Sequence, residues 1–177
     1  MNITDKIDKI IREVPNFPKE GVNFKDITPL LMNSNISCDI IDAFIEGFNN
    51  IRVDAVVGIE SRGFLYGFLL ANKIGVPFIP IRKSGKLPGD TISMSYDLEY
   101  GKSQIEIHQN DIDENWNVLI HDDLLATGGT ACAAAELLLN LNAKIAGFSF
   151  VVNLQFLKGK NKLEKYSKNI ITLIDYK

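Results

Sequence analysis

Two adjacent carboxylates, Asp122 and Asp123, stand just ahead of a run of small residues, Ala126-Thr127-Gly128-Gly129-Thr130. The run opens "GTACAAAELLLNLN", which reads as a helix. The first N–H groups of a helix have no acceptor within it, and they carry the positive end of its dipole, so this entry suits a phosphate. Gly128 and Gly129 let the backbone come close, and the hydroxyls of Thr127 and Thr130 add donors. Taken alone, "TGGT" fits a threonine-capped helix equally well. The acids favour a ligand. They repel an anion unless the same molecule also brings hydrogen-bond donors or a cation, as ribose hydroxyls or a Mg²⁺ ion would. A ribose 5-phosphate meets both needs, with its phosphate in the turn and its hydroxyls on the acids.

Such a site needs a strand to carry the acids and a helix to present the turn. "NVLIHD" at 117–122 is an apolar strand of that kind, and "DAVVGI", "VPFIPI", "KIAGFSFVVNL" and "NIITLID" read as its neighbours. Between them lie "SRGFLYGFLLANKIG", closed by Gly75, and a short helix near 160–167. This alternation predicts an α/β fold with a mainly parallel central sheet flanked by helices, in a single domain spanning 1–177. Ahead of it, Ile3, Ile7, Ile10, Ile11 and Val14 predict a helix over 3–14, stopped by Pro15 and Pro18. A turn-rich segment with an extended piece at 22–27 follows, then a helix over 37–50 with Ser37 as N-cap. Residues 83–109 break the alternation with two polar-alternating runs around "EYGK", a hairpin on a long polar excursion. Excursions of this length are often lids, although a solvated hairpin without a role has the same pattern.

The bulk numbers set limits. The chain has 177 residues, is 46% hydrophobic and carries a net charge of -3, an ordinary globular balance without the basic excess of a nucleic-acid binder. No apolar run is long enough for a membrane span, and no signal segment opens the chain, so a cytoplasmic protein is expected. Two cysteines and two histidines, dispersed in sequence, suggest no protein-only metal site. No GxGxxG is present, and "YDLEYGKS" departs from the ATP-binding P-loop at its first glycine. Arg82, Lys83 and Lys86 form the one dense basic cluster, which suits either a solvated loop or a pyrophosphate clamp.

At this point a resemblance becomes specific. "DDLLATGGT" resembles the phosphoribosyl-pyrophosphate signature of type I phosphoribosyltransferases, and its form is similar to the adenine phosphoribosyltransferases in particular. "FPKEGVNFKDITPLL" resembles that family's base-binding segment and "GIESRGF" its pyrophosphate loop. "PIRKSGKLPG" and "SYDLEYG" resemble the entry and tip of its mobile catalytic loop. The resemblance implies the type I fold, with an N-terminal hood over 1–35 and a hairpin lid over 83–109. It implies that adenine and 5-phosphoribosyl 1-pyrophosphate become AMP and pyrophosphate, with Mg²⁺ bound mainly through the substrate. The sugar would become positively charged as pyrophosphate leaves, so catalysis would be electrostatic and positional.

By the same resemblance, Asp122 and Asp123 would face the sugar and Ala126 to Thr130 its phosphate. Glu60, Ser61 and Arg62 would hold the pyrophosphate, with a cis peptide between Glu60 and Ser61. Arg82, Lys83 and Lys86 would help from the lid's entry, one of them reaching a neighbouring subunit's site, so an isologous homodimer is implied. Phe24 would stack on the base opposite Leu124, with backbone groups near Asn23 and Lys25 reading its edge. Glu99, as a candidate acid, and Tyr100 would arrive with the closing lid. Two residues depart from the family pattern. Lys25 stands where arginine is usual, and His121 where an aliphatic residue usually precedes the acids, either as a packed strand residue or as a bias on the charge of Asp122. Another purine base, or a nucleotide-sensing regulator on the same fold, is the competing reading.

Overall fold

The computed structural model describes residues 1–97 and 101–177. Among the described residues, nine strands fall into two sheets. In the larger, the order is β5 (Thr91–Asp97), β6 (Lys102–His108), β4 (Phe78–Lys83), β3 (Ala55–Ile59), β7 (Asn117–Leu125), β8 (Lys144–Leu154) and β9 (Ile170–Tyr176). The five strands from β4 to β9 run parallel, and β5 and β6 add an antiparallel pair at one edge.

Helices cover both faces, as parallel strands require. One face packs Ile120, Phe148 and Ile105 against Ala134 and Leu137 of α5 (Gly129–Asn140). On the other, Val56, Leu119 and Val152 meet α1 (Ile3–Ile10), α3 (Ser34–Gly47) and α4 (Gly63–Ile74) through Ile7, Ile40, Phe44, Tyr66 and Leu70. Burial of β3 along its whole length explains why its sequence shows no polar alternation. The short α2 (Thr28–Leu31) and α6 (Gly159–Leu163) complete the helices, and among the described residues none is long and apolar enough to cross a membrane.

Three expectations are adjusted. The first helix ends at Ile10, because Arg12–Pro15 forms β1 and pairs antiparallel with β2 (Asn23–Asp26), placing Val14 opposite Phe24. This two-stranded hood outcompetes a continuation of the apolar helical spacing. The second long helix starts earlier, at Ser34, because Asn33 is its N-cap and accepts from Ile36 N at 3.2 Å. Ser37 lies inside it and donates to Leu30 O instead. Third, the expected hairpin of the excursion, β5 paired with β6, does not stand apart from the sheet. Its stem is built into the main sheet, where Arg82 pairs with Glu106 and Lys83 with Ile105.

Candidate active site

The turn after β7 is shaped by backbone approach. Gly128 is left-handed, with φ +79°, and no side chain caps the α5 N-terminus. The first helical bond runs from Cys132 N to Gly128 O at 2.9 Å, so the N–H groups of Gly129, Thr130 and Ala131 precede the helical ladder. The threonine-capped alternative is therefore removed. A Cβ on Gly128 would lie 2.9 Å from Gly159 O, and one on Gly159 would collide with Ala126 O. Gly159, remote in sequence, thus backs the turn. A cavity of about 80 Å³ opens there, lined by Asp122, Leu124 and Ala126 to Ala131. The hairpin reaches the same place, with Asp97 O 3.5 Å from where a Cβ on Gly129 would stand.

Strand β7 continues to Leu125, so the acids sit within it rather than beyond its end. Asp123 is 3% exposed. Asp122 Oδ1 accepts from Asp123 N at 2.9 Å. Arg62 Nε lies 2.9 Å from Asp123 Oδ2 as an ion pair without hydrogen-bond alignment. Burial, then the charge of Asp123, pushes the Asp122 carboxyl well above its usual range. Burial also raises Asp123, against the pull of Arg62. Burial, with repulsion from Asp123, favours the proton on Asp122, and a cation or hydrogen-bond donors arriving beside the pair would favour its ionised form.

The loop facing them joins β3 to α4. Its Glu60–Ser61 peptide is cis, as the resemblance implied, and Arg62 is the N-cap of α4. Glu60 is held by Arg82, through Nε at 3.2 Å and Nη2 at 3.1 Å, and by Lys83 N at 2.9 Å. The Arg82 bonds hold its carboxyl below the ordinary value. Buried Glu106 accepts from Lys86 N and Leu87 N, each at 2.9 Å, so the basic loop rests on two carboxylates.

On the hood, Phe24 faces the same region. The Arg62 guanidinium lies 5.2 Å from its ring centroid, and Phe17 packs edge-on at 5.2 Å. Lys25 points elsewhere: it is buried, ion-paired with Glu13, and sits 3.9 Å over the Tyr176 ring. A cavity of about 460 Å³ lies beside the hood, lined by Asn23, Lys25, Leu154, Phe156 and Tyr176.

Comparison with known proteins agrees with this geometry. Residues 28–176 match the phosphoribosyl transferase domain family. The adenine phosphoribosyltransferase of Clostridium perfringens (strain SM101 / Type A) is 46% identical over 176 residues, which is 99% of each chain. The chain belongs to the adenine phosphoribosyltransferase family. Among solved structures, adenine phosphoribosyltransferase from Thermoanaerobacter pseudethanolicus superposes with a TM-score of 0.94 at 43% identity, covering 98% of this chain and 99% of that one. The Saccharomyces cerevisiae enzyme, complexed with an imino-altritol bisphosphate and adenine, gives 0.90 at 42% identity, covering 97% and 98%.

The family's motifs meet in space as follows. Asp122, Leu124 and Ala126 to Thr130 line one cavity, Arg62 bridges Asp123 and Phe24, and Glu60 is joined to Arg82. Lys25 is turned away from the acids by its partners Glu13 and Tyr176. Glu99 and Tyr100 lie outside the described residues. Sequence reading missed Gly159, whose only local signal is a glycine in "LKGK", and Leu154, which reads as an ordinary strand end.

Proposed function

We propose that this chain joins adenine to the ribose of 5-phosphoribosyl 1-pyrophosphate, giving AMP and pyrophosphate in purine salvage. The observation that carries the reading is the uncapped α5 entry beside two adjacent acids whose carboxyls burial raises. Phosphate binds the Gly129–Ala131 N–H groups, while Asp122 and Asp123 take the ribose. The bond from the anomeric carbon to the pyrophosphate oxygen breaks with its electron pair on the pyrophosphate, an adenine ring nitrogen bonds that carbon, and the proton of the adenine N–H is released. Positive charge growing on the ribose faces an acid pair already fixed in place and favours its ionised form, which needs no reorganisation at the moment of reaction.

Arg62 and the Glu60–Ser61 backbone hold the leaving pyrophosphate, with Lys83 and Lys86 above. The tip residues Glu99 and Tyr100 complete the site when the hairpin closes and water is excluded. Phe24 and Leu124 sandwich the base, and backbone groups at Asn23 and Lys25 read its edge. Mg²⁺ would be held mainly through the substrate, by its pyrophosphate and ribose hydroxyls. A cation nearby would favour the ionised forms of Asp122 and Asp123, which burial disfavours. Bound there, Mg²⁺ would neutralise charge on the leaving pyrophosphate.

We also read the protein as a cytoplasmic homodimer. Exposed Leu65, Phe68 and Leu69 on α4 support the dimer, and the free thiols of Cys38 and Cys132 agree with a reducing compartment. The test is to mix the protein with Mg²⁺, phosphoribosyl pyrophosphate and adenine, hypoxanthine or guanine in turn. Nucleotide should form with adenine. Turnover of hypoxanthine but not adenine would contradict the assignment of the base, and no turnover with any base would favour a regulator.

A further inference from the structure

His121 is the one residue of the motif region that the reaction leaves without a task, and the packing around it is specific. It is fully buried on β7, directly before the acids. Nδ1 lies 2.9 Å from Oγ of buried Ser149, its ladder partner on β8. The ring packs edge-on against Phe44 of α3, with centroids 5.4 Å apart at 76°. One hydrogen bond and one ring contact therefore fix its rotation. Nε2 has no partner.

Helix α4 touches this residue twice. A Cβ on Gly63 would come 2.9 Å from His121 O and 3.0 Å from Asp122 Oδ1. One turn later, a Cβ on Gly67 would come 3.3 Å from the ring at Cδ2. Two glycines thus seat α4 on the backbone and the ring of His121. Arg62, which meets Asp123, immediately precedes the first of them.

We propose that His121 is a positioning residue: its ring, oriented by Ser149 and Phe44, sets the seat of α4 on β7 and so places Arg62 against Asp123. The inference rests on the reading of Arg62 and the acid pair as transfer machinery. Burial pushes the imidazole down to about 3, so it stays neutral in the working range and acts by shape and one hydrogen bond. That disfavours the alternative in which it biases the charge of Asp122.

The test uses the full-length enzyme with saturating and limiting substrates. His121→Leu removes the polar anchor and the flat edge. It should lower kcat about 10-fold, with both KM values within about twofold, because misplacement of a catalytic group costs turnover rather than uniform binding. His121→Asn, whose amide can occupy the Nδ1 position, should recover most of the loss, and Ser149→Ala should fall between. In an Arg62→Ala background, His121→Leu should cost less than about twofold, since the group it places is gone. A purely structural role would give equal losses for the Leu and Asn variants, or the full loss in both backgrounds, and either result overturns the inference. So does unchanged kcat per folded molecule in His121→Leu while Arg62→Ala is impaired. Wild-type turnover in Arg62→Ala would instead remove the reading on which the inference stands, and the inference with it.

Discussion

Strand β7 meets carboxylates at both ends, and the two ends treat them in opposite ways. At its start, Asp54 accepts from Asn117 N and Nδ2, each at 2.8 Å, and from Arg52 Nε at 2.8 Å. Those donors, the Asn117 backbone first, pull its carboxyl down to about 2. At the other end, burial pushes Asp122 and Asp123 up, and Arg62 is their nearby cation. The residue type is the same, so the difference lies in burial first and then in the donors. The first end is satisfied by the protein itself and closes the β3–β7 entry. The second is left short of donors, which on the proposed function the ribose hydroxyls supply. Local conflict of this kind belongs at functional sites, where the rest of the fold has to carry its cost.

The sharpest way to break the comparison is Asp123→Asn. Turnover should fall by at least about 10²-fold, the size expected when a preorganised charge facing the transition state is lost. Stability should not fall with it. An acid whose folded pKa is raised destabilises the fold when ionised, and that deficit grows as pH rises from the ordinary 3.8 through the raised value. The asparagine lacks the deficit, so its thermal midpoint at pH 7.5 should match or exceed that of the parent. Steady-state nucleotide formation and a thermal melt on one preparation decide the matter. Parent-level turnover would remove the acid from the mechanism.

The contrast was half legible in the sequence. "DDLLATGGT" pointed to the proposed functional end directly, because the acids, glycines and helix entry are contiguous. The structural end was invisible: Asp54 and Asn117 are far apart in sequence, and neither belongs to a motif. The same separation hid Gly159 behind the phosphate turn. Local pattern also failed where two periods overlap. Ile10, Ile11 and Val14 fit a helix, yet Val14 is taken by its partner Phe24. In the excursion, Ile105 and Ile107 are buried in the main sheet, and Glu106 between them is buried too because backbone N–H groups at Lys86 and Leu87 satisfy it. Polar alternation cannot distinguish such a residue from a solvated one.

Asp54→Ala tests the other end. It should cost about 1–2 kcal/mol at pH 7, the loss expected for hydrogen bonds to a charged acceptor, with kcat within about twofold of the parent. The pH dependence has a definite sign. The folded pKa of Asp54 is depressed, so its contribution is present above the ordinary 3.8 and is lost as pH falls through about 2. Parent and variant should therefore differ most above pH 4 and converge near pH 2, as read by denaturant titration across that range. A gap that persists to the acid limit would mean the carboxylate charge contributes nothing there.

The smallest effect is expected on the hood, at Lys25→Arg, which restores the residue more usual in the family. A guanidinium could grip pyrophosphate with two bonds where an ammonium offers a point charge, which argues for tighter substrate binding. The contacts of Lys25 argue the other way. Its ammonium pairs with Glu13 and sits over Tyr176, on the face of β2 away from Phe24 and Arg62. An arginine keeps both partners, since it also pairs with carboxylates and stacks on aromatic rings. KM for phosphoribosyl pyrophosphate should thus stay within about twofold. A drop of tenfold or more would mean that the side chain leaves Glu13 and Tyr176 when substrate binds, which would make the hood a third region whose charges serve the ligand rather than the fold.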